Sequence, residues 1–184
     1  MSYYCTVKPG NLLKEENATF IVNASNTTLQ LGAGVSSAFR KECGVVMQIE
    51  MLEKYKSLQQ ELHKGDVIAT SSGQAINFKY ALHASVMDYN NGIRGIDKLP
   101  TIDTINKILQ NIEPYLQWYT NNHSNESIKL VLPLMGCGVG GLDVKEVLDV
   151  YKSFFLKDIP YSCEVVFYGY SPEHYTLAKE IFEQ

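Results

Sequence analysis

Two asparagines three positions apart, Asn23 and Asn26, close the apolar stretch FIVNASN and run directly into TTLQLGAGVSSAFRKECG, residues 27–44. A strand that ends in a glycine-rich turn and opens a helix leaves backbone N–H groups unpaired at the helix start, where the helix dipole also favours negative charge. Such a turn can cradle a diphosphate. Asparagine adds a donor and an acceptor without a charge, which suits sugar hydroxyls better than a carboxylate would. A second stretch of the same kind, LPLMGCGVGGLDV (132–144), again sets glycines between an apolar run and a helix start. Two glycine loops in one small α/β chain can close on a diphosphate from both sides.

Several residues near these loops carry alternatives. Asn23 and Asn26 could instead be turn formers, since asparagine tolerates left-handed backbone and caps helices. His83, in the apolar run YALHAS, is either a base titrating in the physiological range or a hydrogen-bonded core histidine. Cys137 is either a thiol whose pKa a helix N-terminus lowers or a small neutral residue between glycines. Asp143 is the carboxylate nearest the second loop, and with Glu146 three positions on it reads as a capping box. Gly136, Gly138 and Gly141 fit GxGxxG. A dinucleotide fingerprint, however, sits in the first strand–helix–strand unit with an acidic residue roughly 20 positions on, at the end of the next strand. Here one strand and one helix remain, and Glu164 stands at the beginning of that strand.

The elements that position these residues alternate along the chain. Stretches rich in β-branched and aromatic residues predict strands at 3–7, 19–23, 66–70, 80–85, 128–134 and 163–170. Helical stripes lie between them: Met47, Met51, Tyr55, Leu58 and Leu62; Ile102, Ile105, Ile108, Leu109, Ile112 and Leu116; and Val144, Val147, Leu148, Tyr151 and Phe155. A last helix is predicted after Ser171, with Pro172 in its first turn. Strands alternating with helices predict a three-layer α/β/α sandwich around a mixed, mainly parallel sheet, and ligands of such folds bind outside the carboxyl ends of the strands.

At 184 residues and 45% apolar content the chain is expected to form a single domain over 1–184. Its net charge of −4, with the basic residues scattered, gives no electrostatic footprint for nucleic acid or an anionic membrane, so neither partner is expected. Four dispersed cysteines without CxxC spacing, and an N-terminus with neither a basic nor an apolar targeting region, predict a reduced cytoplasmic protein.

IVNASNTTLQLGAGVSSAFRKECG resembles the signature of the macro domains, the ADP-ribose-binding family, whose usual form is an apolar strand, NAAN, a GGGV turn and a helix. The likeness continues in order through KPGNLL (8–13), GDVIATSSGQAINFKYALHASV (65–86), LPLMGCGVGG (132–141) and VVFYGYSPEHY (165–175). It implies that Asn26 bonds hydroxyls of the distal ribose. Gly32, Ala33, Gly34, Val35 and Ser36 would line the diphosphate together with Gly136, Cys137, Gly138, Val139 and Gly140. Asn11 and Leu12 would lie on the adenine side, with Tyr170 stacked on the base unless it is ordinary exposed surface. Candidate catalytic residues are Asn23, Asn26 and His83.

The chain also departs from the family. An acidic residue that accepts from the adenine amino group is replaced by Asn11, which can accept only without charge assistance. The aspartate that follows the first loop in one hydrolase branch is Ser36-Ser37 here, and the lysine that another branch carries in the middle strand region is absent from DVIAT. The implied function is hydrolysis of an ADP-ribose derivative (the 1″-phosphate, an O-acetyl ester or an ADP-ribosylated macromolecule), with no metal and no cofactor. The alternatives are a non-catalytic ADP-ribose reader and, outside the family, a nicotinamide-dinucleotide oxidoreductase.

Overall fold

The structure is a computed structural model that describes residues 1–32, 35–90 and 98–183. Six strands, β1 (Tyr3–Pro9), β2 (Ala18–Asn26), β3 (Val67–Ser71), β4 (Phe78–Met87), β5 (Ile128–Pro133) and β6 (Cys163–Gly169), form one sheet in the order β1-β6-β5-β2-β4-β3. All neighbours are parallel except β3, which runs antiparallel to β4. Helices α1 (Val35–Ser57), α2 (Ile102–Asn122), α3 (Val144–Phe155) and α4 (Pro172–Phe182) cover the two faces. This is the expected mixed, mainly parallel α/β/α sandwich. Among the described residues, no helix is long and apolar enough to cross a membrane.

Each face buries the stripe that its helices present. Ile105, Ile108, Leu109, Ile112 and Leu116 of α2 and Val147, Leu148, Tyr151 and Phe155 of α3 pack on Phe20, Val22, Leu82, Leu130 and Val165. On the other face Phe39, Cys43, Met47 and Met51 of α1 pack on Ile21, Ala81, Val131 and Val166. Leu58 and Leu62 lie beyond the end of α1, so the five-residue stripe of the sequence is shorter in the helix, although Leu62 is buried. Gly44 interrupts α1 at φ 75°, and the Cys43 carbonyl leaves the helical ladder to accept from Gln74 N at 3.0 Å. A residue with a side chain is strained at that φ.

The helix starts follow local chemistry. Ser171 caps α4 by accepting from His174 N at 3.1 Å, with Pro172 behind it. Asp143 caps α3 through Lys145 N at 2.9 Å, one residue short of the geometry a capping box uses; the reciprocal box is at Thr101 and Thr104 of α2. The exposed edge at β3 is blunted by side chains: Tyr115 OH donates to Val67 O at 3.1 Å, and Ser71 N donates to Glu50 Oε1 at 3.0 Å.

Glu15, just past the 3-10 turn Leu12–Lys14, is a buried carboxylate. It accepts from Lys8 Nζ at 2.7 Å, from Lys129 Nζ at 3.2 Å and from Tyr168 OH at 2.5 Å, joining the turn to β1, β5 and β6. Burial by itself would raise its pKa, but these donors outweigh burial and hold the carboxyl below the ordinary glutamate range. Its stabilisation is therefore complete above the unfolded value of about 4.3 and is lost as pH falls through the lower folded value. Glu15→Gln is expected to cost about 1–3 kcal/mol at neutral pH, and the gap from the parent should close on acidification when unfolding is followed by urea titration from pH 7 to pH 3.

Candidate functional site

The strand order decides which loops meet. The glycine loops follow β2 and β5, which are sheet neighbours in the register Phe20↔Leu130, so both emerge over the middle of the carboxyl edge. Asn11 and Tyr170 follow β1 and β6, neighbours through Pro9↔Gly169, on one side of that centre. Asn26 ends β2 beside Met87 of β4, on the other side.

Asn23 and His83 are register partners on β2 and β4, and both are fully buried. Asn23 Nδ2 lies 3.0 Å from His83 Nδ1. An amide nitrogen only donates, so Nδ1 is the acceptor and the ring proton sits on Nε2, which lies 2.8 Å from Thr70 Oγ1; the threonine hydroxyl then donates to Ser71 O at 2.9 Å. At the other end Ser36 Oγ donates to Asn23 Oδ1 at 3.0 Å. Desolvation pushes the His83 pKa down to about 3, so the imidazole is neutral. Asn23, Ser36 and His83 are thus brought together, inside the core, where they dock the first turn of α1 on the sheet.

Asn26 organises its own loop. Its Oδ1 accepts from Thr28 N at 3.0 Å and Thr28 Oγ1 at 2.7 Å, and its Nδ2 donates to Gln30 O at 2.9 Å. Residues that the sequence did not single out complete the clamp. Gln48 accepts from Leu31 N at 2.7 Å and donates to Leu29 O at 3.0 Å, and Arg40 donates to Leu31 O. Thr27 Oγ1 donates to Asp88 Oδ1 at 3.1 Å and accepts from Tyr89 N at 2.9 Å, which ties the ends of β2 and β4. The signal for Gln48 and Arg40 is their place on the helix that the loop opens. Gly32 is exposed and Val35 half-buried at the start of α1; Ala33 and Gly34 lie outside the described residues.

The second loop divides its glycines between structure and surface. Gly136 has φ +79°, and its carbonyl accepts from Leu142 N at 2.8 Å. A Cβ at Gly140 would stand 2.7 Å from Gly136 O and 2.8 Å from Pro100 Cγ, whereas one at Gly138 would meet nothing within 4 Å. Tyr151 of α3 holds the loop base, donating to Pro133 O at 2.6 Å and accepting from Met135 N at 3.0 Å. Cys137 is half-buried, and burial, reinforced by Asp143, raises its pKa to about 11. Of the two readings of Cys137, the raised pKa favours the small neutral residue between glycines: burial keeps the thiol protonated.

Val139 and Tyr170 stand out from the carboxyl edge, 81% and 91% exposed. Leu12 is buried, while Asn11 is exposed and its Oδ1 accepts from Leu13 N at 3.0 Å. No group of three or more histidine, cysteine or acidic residues among those described is placed to hold a metal ion. Among the described residues the edge therefore offers uncharged glycine loops, the exposed ring of Tyr170 and the Asn11 amide, which suits a long ligand with anionic groups at its centre.

This chain belongs to the macro domain family: the Macro domain model matches residues 22–151. A protein of Sulfolobus acidocaldarius is 29% identical over 181 residues, 95% of this chain and 87% of the relative. A mutant Oceanobacillus iheyensis macrodomain with ADPR superposes with a TM-score of 0.74 at 20% identity, covering 97% of this chain and 91% of that one. A Trypanosoma brucei macrodomain in complex with ADP-ribose gives a TM-score of 0.71 at 16% identity, covering 96% of this chain and 68% of that one.

Two outcomes follow from the geometry. Gly140→Ala should destabilise the fold by about 1–3 kcal/mol through overpacking, while Gly138→Ala leaves the melting temperature within a degree or so of the parent. Neutral His83 contributes stability that is full above about pH 6.5 and is lost as pH falls towards its folded pKa. His83→Gln should flatten this part of the acid dependence, read as the slope of unfolding free energy between pH 6.5 and pH 4.

Proposed function

We propose that the chain is a single macro domain that binds ADP-ribose and hydrolyses a derivative of it. The observation that carries this reading is the convergence of the two glycine loops at the ends of neighbouring strands β2 and β5, between Asn26 on one side and the exposed Tyr170 on the other. Backbone N–H groups of residues 32–36 and 136–140 would take the diphosphate, Tyr170 would stack on the base, and the distal ribose would lie over the β2–β4 side. The ADP-ribose complex of the similar Trypanosoma brucei macrodomain supports the ligand.

For catalysis, a water held beside the diphosphate would attack the anomeric carbon or the ester, with backbone donors stabilising the developing charge. Asn26 acts in this scheme by fixing residues 27–31, and Asn23 with His83 by fixing the start of α1. A reader without activity is the second reading. It is favoured by the neutral, enclosed His83 and the neutral Cys137, neither of which is poised as a base.

Calorimetry should give a Kd for ADP-ribose on the order of micromolar, about −8 kcal/mol, with NAD and AMP weaker. NAD binding as tightly as ADP-ribose would overturn the assignment. Gly138→Glu should abolish binding with the melting temperature unchanged, because its side chain meets no protein atom yet projects a negative charge into the cradle.

A panel of the 1″-phosphate, the O-acetyl ester and ADP-ribosylated protein separates enzyme from reader. Turnover of one member, slowed on the order of a hundredfold by Asn26→Ala while affinity falls by only about 1–2 kcal/mol, is the expected result. A panel that stays intact for hours at micromolar protein, with ADP-ribose still bound, leaves the reader.

A further inference from the structure

The approach to the first glycine loop is held in a conformation that its own residues do not favour. Leu29 sits at φ 53°, in the left-handed region that a bulky side chain rarely adopts. Such a residue persists only where its surroundings over-determine it, and strain of this kind concentrates at functional sites. Three constraints hold Leu29. Its side chain is fully buried, its N–H donates to Asn26 O at 3.2 Å, and its carbonyl accepts from Gln48 Nε2 at 3.0 Å. The first two belong to the loop and the core beneath it, and the third is supplied by α1.

Gln48 grips the chain on both sides of Gln30. Its Oε1 accepts from Leu31 N at 2.7 Å while its Nε2 donates to Leu29 O, so one planar amide bonds the backbone before and after a single residue. An N–H only donates and a carbonyl only accepts, so the amide has one orientation that satisfies both partners. Leu31 O is taken in turn by Arg40, and Gly32 follows directly, at the entry to the cradle proposed for the diphosphate. Asn26 and the buried Leu29 side chain fix where the chain leaves β2. Gln48 fixes its path from there to Gly32.

We infer that Gln48 is a positioning residue of the ligand site: by bonding Leu29 O and Leu31 N it keeps residues 29–31 in the strained path from which Gly32 and the start of α1 present their backbone. The inference rests on the ADP-ribose reading above and adds to it the side chain that pre-organises the first loop. Without this bridge the left-handed Leu29 is free to relax, and the measured affinity falls with the fraction of molecules whose loop stays in the binding conformation.

The test is calorimetric titration of ADP-ribose into the wild-type chain, Gln48→Met, Gln48→Ala and Ile112→Val, each well below its melting transition, with amide exchange of Leu31 followed by NMR. Methionine keeps the bulk of the side chain and removes both bonds, so its effect is not that of a cavity. Ile112→Val trims the core on the opposite face of the sheet and lowers the melting temperature without touching the loop. The expected result is an affinity at least tenfold weaker in both Gln48 variants and unchanged in Ile112→Val, with the Leu31 amide exchanging at least tenfold faster in the Gln48 variants alone. Gln48 variants that keep the wild-type affinity, or an Ile112→Val variant that weakens binding as much as they do, overturn the inference while leaving ADP-ribose binding intact. Wild-type protein that does not bind ADP-ribose overturns the ADP-ribose reading and this inference with it.

Discussion

The buried hydrogen bond between Asn23 and His83 is the constraint around which the middle of the molecule is arranged. Both side chains sit in an apolar layer, where an unpaired amide or imidazole would cost about 1–3 kcal/mol, so the parallel register of β2 and β4 must hold them opposite each other. A one-residue slip would turn Asn23 to the opposite face and strand His83. Thr70 fixes the far ring nitrogen and Ser36 the amide oxygen, so the same bond also sets β3 against β4 and the first turn of α1 against the sheet. The loop between Asn26 and Val35 begins and ends on elements that this network positions.

Among the described residues, the carboxyl edge is braced by the chain's own hydrogen bonds. Asn26, Arg40 and Gln48 satisfy most of the polar backbone of residues 27–31, and Tyr151 satisfies the base of the second loop. A cradle whose supports are already bonded has little conformational entropy left to lose on binding, which favours affinity from backbone donors alone. Gly136 and Gly140 serve the loop's own packing and Gly138 its outer surface, a division that the glycine pattern does not reveal.

Much of this architecture is legible in the sequence because it depends on local periodicity. All six strands are marked by β-branched and aromatic runs, and the α2 and α3 stripes coincide with buried faces. What is not legible depends on distant partners. The break at Gly44 is set by Gln74 and Gly73, which approach Cys43 from the β3–β4 connection, and no window around residue 44 contains them. Asn26 has the type and place of a ligand group, yet its bonding atoms are committed to Thr28 and Gln30. The Cys137 thiol has the sequence neighbours of an activated one, glycines before a helix, whereas burial by residues distant in the chain decides its protonation.

The interruption at Gly44 has a dynamic consequence. A helix of 23 residues with an unbroken ladder would open from its ends, but here the ladder is divided, with the Cys43 carbonyl bonded outside the helix. Residues 45–57 are therefore able to open separately from residues 35–43. Gln48 lies in the outer unit and Arg40 in the inner one, and both hold Leu31. An opening of the outer half alone would release one of the two grips on Leu31 while Arg40 keeps the other, so this end of the loop would loosen in steps.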